Sequence, residues 1–464
     1  MTIWSPEIDA INGPRYQAIA QALAADVASG RLSPGSRLPT HRDLAYRLGV
    51  TVGTVSRAYA EAQRKGLTTG EVGRGTYVRG GAEDQGPARN LALIENAPQG
   101  LIDFSLNMPV MGASTEAFAD ALAQLARTEG LDALLGYQPD QGLGRHRAAG
   151  AKWVERSGIA APSDRIIVTN GAQHGMYAVF AAITQASDVV LTENLTYPGM
   201  KELADHLGIR LQGVTMDADG LIPDAVEEAC RLHHPRAIYF MANLQNPTAA
   251  VMPEDRRRAL ADIAQRHGTF LVEDDVYGFL SPNRPPSLAR FAPDITFHIT
   301  SLSKSVAPGL RVGYVLAPEG YKTRVGATVR ASCRMAGAVT AEIATRWIED
   351  GSAERMADFQ RAEVNARQEV ATRLLKGATY DTRPDSFHIW LHLPEPWQAG
   401  EFVASARERN VVVVPASAFA VGRETPHAVR VCLGAVRDRD QMELGLRIII
   451  DVLAKPARSR PGII

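Results

Sequence analysis

The chain has 464 residues, too many for one ordinary hydrophobic core, so two or more domains are expected. Hydrophobic residues make up 45% and charged residues 22%, no apolar run reaches the roughly 18 residues of a membrane span, and Cys230, Cys333 and Cys432 form no CxxC pair, which argues against a membrane protein, a disulfide framework and a metal site. Overall 50 basic residues face 51 acidic ones, yet residues 1–80 hold ten Lys/Arg against six Asp/Glu and the remainder 40 against 45, so a polyanion partner is expected for a basic head.

The start, MTIWSPEIDAINGPRY, lacks the basic run and apolar stretch of a secretory leader, so a cytoplasmic chain is expected. Residues 15–29 place Ile19, Leu23 and Val27 on one helical stripe, and Gly30 with LSPGSRLPT makes a turn. Thr40 caps a predicted second helix, HRDLAYRL, which stops at Gly49; Thr51 caps a third that runs to about Lys65, before Gly66. LTTGEVGRGTYVRG then reads as a β-hairpin turning at Glu71 to Gly75. Residues 80–100, rich in Gly and Pro, are predicted to be a linker.

Beyond the linker, order is expected from Leu101 at LIDFSLNMP, and helices alternate with apolar strands such as RIIVT, DVVLT, AIYFM, TFLVEDD and ITFHIT. That alternation predicts a mainly parallel sheet covered on both faces. From about Ser352 to the end, strands near SFHIWLHL, VVVVP and AVRVCL mixed with helices predict a smaller α+β subdomain.

The head, residues 1–79, has the element order of a winged helix-turn-helix, whose second helix of the pair enters the major groove. Thr51 and Thr54 are placed to reach base edges and, one turn later, Arg57 a guanine or a phosphate; Arg42 begins the preceding helix and is placed for phosphate, and Arg74 at the hairpin tip suits the DNA backbone or minor groove. The run GRLSPGSRLPTHRDLAYRLGVTVGTVSRAY resembles the GntR superfamily, which implies a double-stranded DNA operator as partner. Where many members carry arginine after the Ser/Thr that opens the recognition helix, this chain has Val52.

In the body, Lys304 lies in ITSLSKSVAPGLRVGY, after an apolar run; a lysine in a dry site loses its proton and forms a Schiff base with an aldehyde. Pyridoxal 5'-phosphate needs such a lysine and an acid that keeps its pyridine nitrogen protonated. Asp274 in FLVEDD is placed for that, with Asp275 and Glu273 as rivals. Asn246 in LQNPT and Tyr277 in EDDVY have the donors for the phenolate oxygen, and Tyr197 in ENLTYPG has a ring to stack on the cofactor. Gly171, Ala172 and Gln173 open a helix after a strand and offer amides to a phosphate, with Ser301, Ser303 and Arg311 as further donors.

The ordered set Y…TNGAQ…TYPG…QNPT…EDDxY…SxSKxxxxGLRxG…R resembles the fold-type I, aspartate-aminotransferase-like family from about residue 100 onward. The resemblance implies the cofactor on Lys304, Asp274 on the pyridine nitrogen, and Asn246 and Tyr277 on the phenolate. It also implies Tyr137 reaching the phosphate of a neighbouring subunit, hence a homodimer, and Arg430 clamping a ligand carboxylate. Two departures stand out: Ala249 where relatives have the glycine of NPTG, and Ser386 and Phe387 where many have a Gly-Gly pair, from which Phe387 is expected to crowd the substrate side.

A winged helix joined by a linker to such a body, residues 101–464, is the arrangement of MocR-type regulators. The implied function is transcription control through an amino compound that exchanges with Lys304 to form an external aldimine. A working aminotransferase and a sensor of free pyridoxal phosphate are the alternatives; Arg430 weighs against the last, which needs no carboxylate clamp.

Overall fold

The structure is a computed structural model that describes residues 4, 6, 14–28, 32, 36, 38–64, 67–71, 75–78, 100–112, 114–127, 131–422 and 425–454. It divides the chain into two compact units, residues 1–92 and 93–464. The linker expected over 80–100 lies outside the described residues except for Gly100.

The head is built from α1 (Arg15–Ala28), α2 (His41–Leu48), α3 (Val52–Arg64) and an antiparallel pair, β1 (Thr68–Glu71) with β2 (Gly75–Val78). The expected caps are in place. The Asp43 amide donates to Thr40 Oγ1 at 3.2 Å, and the Thr54 amide donates to Thr51 Oγ1 at 3.2 Å; each such cap contributes about 1 kcal/mol. Gly49 closes α2 with φ +61°, a left-handed conformation that glycine adopts without strain. Ile19, Leu23, Leu44, Val55, Tyr59 and Val78 share one buried core. The wing is tied to the segment ahead of α2 by Leu38 and Val78 amides, which donate to Thr76 and Ser36 carbonyls at 2.8 Å.

In the body, a seven-stranded sheet runs in the order β4 (Ile166–Thr169), β12 (Gly313–Leu316), β11 (Thr296–Ser301), β10 (Phe270–Asp274), β9 (Ala237–Phe240), β5 (Val189–Glu193), β6 (Arg210–Val214). Every strand is parallel to its neighbours except β12, which runs against β11 and β4. Strands β4, β9, β10 and β11 are buried at every position, as a sheet covered on both faces requires. Between β6 and β9 lies a short ribbon, β7 (Met216–Asp217) with β8 (Gly220–Leu221). The strand β12 is formed by the tail of the GLRVGY motif, which the sequence reading treated as part of a site and not as a strand.

The smaller subdomain carries an antiparallel sheet, β13 (Tyr380–Asp381), β14 (His388–His392), β17 (Ala428–Cys432), β16 (Val414–Pro415), with long helices Ser352–Leu374 and Arg439–Leu453. Its core includes Ile102 and Phe104 from the start of the body. Ile102–Asp103 forms β3, which pairs in parallel with β15 (Val411–Val412). The expected single strand VVVVP is therefore two: β15 serves β3 and β16 serves β17. An unbroken apolar run has no polar alternation to mark a face, so its partners decide where it breaks. Among the described residues no helix is long and apolar enough to cross a membrane.

Because β4, β5, β9, β10 and β11 run the same way, the segments that follow them emerge at one edge of the sheet. Those segments are TNGAQ, TYPG, QNPT, EDDVY and SLSK. The carboxyl edge of a parallel sheet is where α/β folds gather their chemistry.

Candidate functional site

The three acids of β10 and its end are sorted by the two-residue alternation of a strand. Glu273 and Asp275 face one side. Glu273 accepts from Ser287 Oγ and, at 3.1 Å, from the Leu288 amide, and its other oxygen lies 3.9 Å from the Arg257 guanidinium. Asp275 accepts from Asn243 Nδ2 at 2.7 Å and Ser157 Oγ at 2.9 Å, with Arg284 at 3.5 Å. Asp274 faces the other side, 3% exposed; its Oδ2 accepts from the Tyr239 hydroxyl at 2.9 Å, while its Oδ1 is buried without a hydrogen-bond partner. Burial pushes the Asp274 carboxyl up to about 7, against the Tyr239 bond, which pulls it down. A buried carboxylate oxygen with no donor is suited to a cationic N–H. Glu273 and Asp275 each have an arginine within 4 Å; among the described residues Asp274 has none.

Lys304 follows β11 and donates from Nζ to the main-chain oxygen of Asn107. Burial lowers its pKa to about 8. Its amine is thus held close to neutrality, as capture of an aldehyde requires. Asn107 Nδ2 also donates to the Tyr277 hydroxyl at 3.0 Å and contacts His388 Nδ1 at 3.0 Å. Asn246 Oδ1 accepts from Arg430 at 2.6 Å, which leaves the Asn246 NH2 as the donor it can offer elsewhere. Arg430 also donates to the Ser105 carbonyl at 2.5 Å, lies 4.8 Å from the Phe419 ring centre, and keeps a buried Nε without a partner.

The anion cup forms where β4 turns into α4 (Ala172–Ile183). Gly171 precedes it with φ +83°, and a Cβ there would fall 2.7 Å from an Arg311 nitrogen. Arg311 donates to the Asn170 carbonyl at 3.1 Å and reaches Ser303 Oγ at 3.4 Å; the Ser303 amide reaches Ser301 Oγ at 3.4 Å. The first amides of α4, at Ala172 and Gln173, take no side-chain cap. Guanidinium, hydroxyls and helix amides thus meet as an anion needs. The Gln173 side chain turns aside to the Gly199 carbonyl at 3.0 Å, beside the half-buried Tyr197, whose hydroxyl is pushed up to about 12 by burial. The unpartnered buried Asp274 Oδ1 and Arg430 Nε and the glycine-lined cup fit pyridoxal phosphate.

Tyr137 does not join this cluster: it is 85% exposed, with the Arg334 guanidinium 5.2 Å from its ring centre. Phe387 corrects an expectation. It is 1% exposed and packs on Tyr277 and Phe279 with ring centres 6.0 and 6.4 Å away, so it borders no open substrate space. Ala249 occupies φ +62°, a left-handed conformation that glycine adopts more readily than alanine. Residues that sequence reasoning missed are Asn107, Ser105, Tyr239 and His388; the one signal was a polar residue inside an otherwise apolar run.

In the head, Thr51, Arg42 and Arg57 are exposed, with Thr54 less so. Thr51 and Thr54 hydroxyls bond each other at 2.9 Å. Arg57 lies over the Tyr16 ring at 4.5 Å, on the α1 side of α3. Arg74 lies outside the described residues.

Comparison with known proteins matches residues 99–449 to aminotransferase class I and II, and residues 15–78 to bacterial regulatory proteins of the gntR family. The chain is similar to the uncharacterized HTH-type transcriptional regulator YdeF of Bacillus subtilis, 32% identical over 96% of each chain. It is similar also to 2-aminoadipate transaminase of Thermus thermophilus, 27% identical over 77% of this chain and 91% of that one. Kynurenine aminotransferase of Pyrococcus horikoshii superposes with TM-score 0.73 at 21% identity, over 79% of this chain and 94% of that one.

Proposed function

Since the chain belongs to the regulators that join a gntR-family head to an aminotransferase class I and II body, we propose that it is a DNA-binding transcription regulator that holds pyridoxal phosphate on Lys304 and answers to an amino compound. The observation that carries the cofactor reading is Asp274, buried on the sheet's site-facing side with one oxygen unpartnered. Bound there, pyridoxal phosphate supplies an aldehyde that captures amines and a ring that withdraws electrons from them. The protein supplies the rest. Asp274 holds a proton on the pyridine nitrogen, Asn246 and Tyr277 donate to the phenolate oxygen, and Tyr197 covers the ring. Gly171, Ala172, Gln173, Ser301, Ser303 and Arg311 hold the phosphate. Arg430 receives a ligand carboxylate through its free guanidinium hydrogens, so the effector carries both a carboxylate and a primary amine.

The protein acts in the cytoplasm as a homodimer, with Tyr137 completing the phosphate cup of its partner; the exposure of that ring in its own chain supports this. DNA is read by Thr51, Thr54 and Arg57 and gripped through phosphates by Arg42, with Arg74 on the backbone or in the minor groove. A second reading, a working aminotransferase, is favoured by the likeness to 2-aminoadipate transaminase. Measuring operator affinity and keto-acid release together, across a panel of amino acids with the holoprotein, separates the two. Affinity that changes with one amino compound while keto acid stays negligible supports the regulator. Steady turnover with DNA binding indifferent to ligand supports the enzyme.

A further inference from the structure

The hydrogen bonds around Asn107 have a direction that chemistry fixes from one end. The Gln245 carbonyl oxygen only accepts, and it lies 3.1 Å from His388 Nε2, so that nitrogen carries the hydrogen. His388 is fully buried, with Cys432 opposite it on β17, Arg430 on the same strand as Cys432, and the Tyr277 ring centre 6.1 Å away. No carboxylate bonds it among the described residues. Burial, reinforced by Arg430, lowers its pKa to about 3, so the ring is neutral and Nδ1 offers a lone pair. The group 3.0 Å from that lone pair must then be the NH2 of Asn107 and not its carbonyl oxygen. The second hydrogen of the same NH2 goes to the Tyr277 oxygen at 3.0 Å. Tyr277 therefore accepts from Asn107, and its own proton is left to donate elsewhere.

We propose that Gln245, His388 and Asn107 form a one-way relay that keeps the Tyr277 hydroxyl proton available to the cofactor's phenolate oxygen, making His388 and Asn107 positioning residues of the site. Asn107 has a second hold on the same centre, because its main-chain oxygen accepts from Lys304. The inference rests on the pyridoxal-phosphate reading given above. A donor to the phenolate favours its ionised form and so lowers the pH at which the cofactor's visible band changes.

The test is a pH titration of that band in the full chain loaded with pyridoxal phosphate. Asn107→Asp keeps the shape and, once ionised, can only accept, drawing the Tyr277 proton to itself; the band's apparent pKa is expected to rise by about one unit. His388→Phe removes the lone pair and lets the Asn107 amide turn over, with a rise in the same direction. His388→Asn, which puts an oxygen near the place of Nδ1, is expected to titrate within about 0.3 unit of wild type. In an Asn107→Ala background His388→Phe should add nothing, because it acts only through Asn107. Where the Phe variant does not fold, Asn107→Asp and His388→Asn still decide. Variants that all titrate as wild type overturn the relay, and so does a His388→Phe shift that is equal with and without Asn107. A wild-type chain that takes up no cofactor overturns the cofactor reading along with it.

Discussion

Replacing Asp274 with Asn removes a charge that the cofactor-free fold holds at a loss. The folded carboxyl titrates at about 7, against about 3.9 in an unfolded chain. Between those values the folded state binds more protons than the unfolded state, so stability falls as pH rises. Three pKa units correspond to about 4 kcal/mol, a loss nearly absent below pH 4 and level above pH 7. The Asp274→Asn variant escapes that loss, while leaving an amide NH2 without a match beside Tyr239, which costs about 1–3 kcal/mol at every pH. Cofactor-free Asp274→Asn should therefore be about as stable as wild type at pH 5 and more stable at pH 8. The difference between the two proteins should widen by about 3 kcal/mol over that interval. Urea unfolding followed by circular dichroism at both pH values measures it. Adding pyridoxal phosphate should reverse the order, since only wild type has a carboxylate for the pyridine nitrogen. A stability difference that is the same at pH 5 and pH 8 would refute the burial of an ionisable, unpartnered Asp274.

Lys304 has a pKa of about 8, so the growth rate of the cofactor's visible band should rise as pH climbs through 8, and Lys304→Ala should give no covalent band; a rate flat from pH 6.5 to 9 counts against this. Arg430→Ala should abolish the response to carboxylated amines while DNA binding and cofactor remain. It strips the donor from Asn246 Oδ1 and the Ser105 carbonyl, so a thermal melt should also register a loss of about 1–3 kcal/mol. Arg57→Ala should weaken operator binding by about 1–3 kcal/mol and leave random DNA less affected, whereas Arg42→Ala should weaken both alike. Equal losses for both variants on both DNAs, in gel-shift titrations, would remove Arg57 from base reading.

Local chemistry was legible in the sequence because its causes lie within a few residues. Thr40, Gly49 and Thr51 punctuate the head where expected, since a cap or a left-handed turn depends on neighbours three or four positions away. The cofactor motifs were legible for the same reason: each follows the strand that delivers it to the sheet's carboxyl edge. Tertiary structure alone showed how Glu273, Asp274 and Asp275 differ in their partners. FLVED is buried on both faces, so its residue pattern marks no side, and only the partners on each side show which acid is left without a cation. It alone put Phe387 in the core and split VVVVP between two sheets. It alone found Asn107, which bonds Tyr277 and His388 across 170 and 281 residues of chain. Contacts at such separations leave no local pattern, because they exist only after the fold has closed the loops between them.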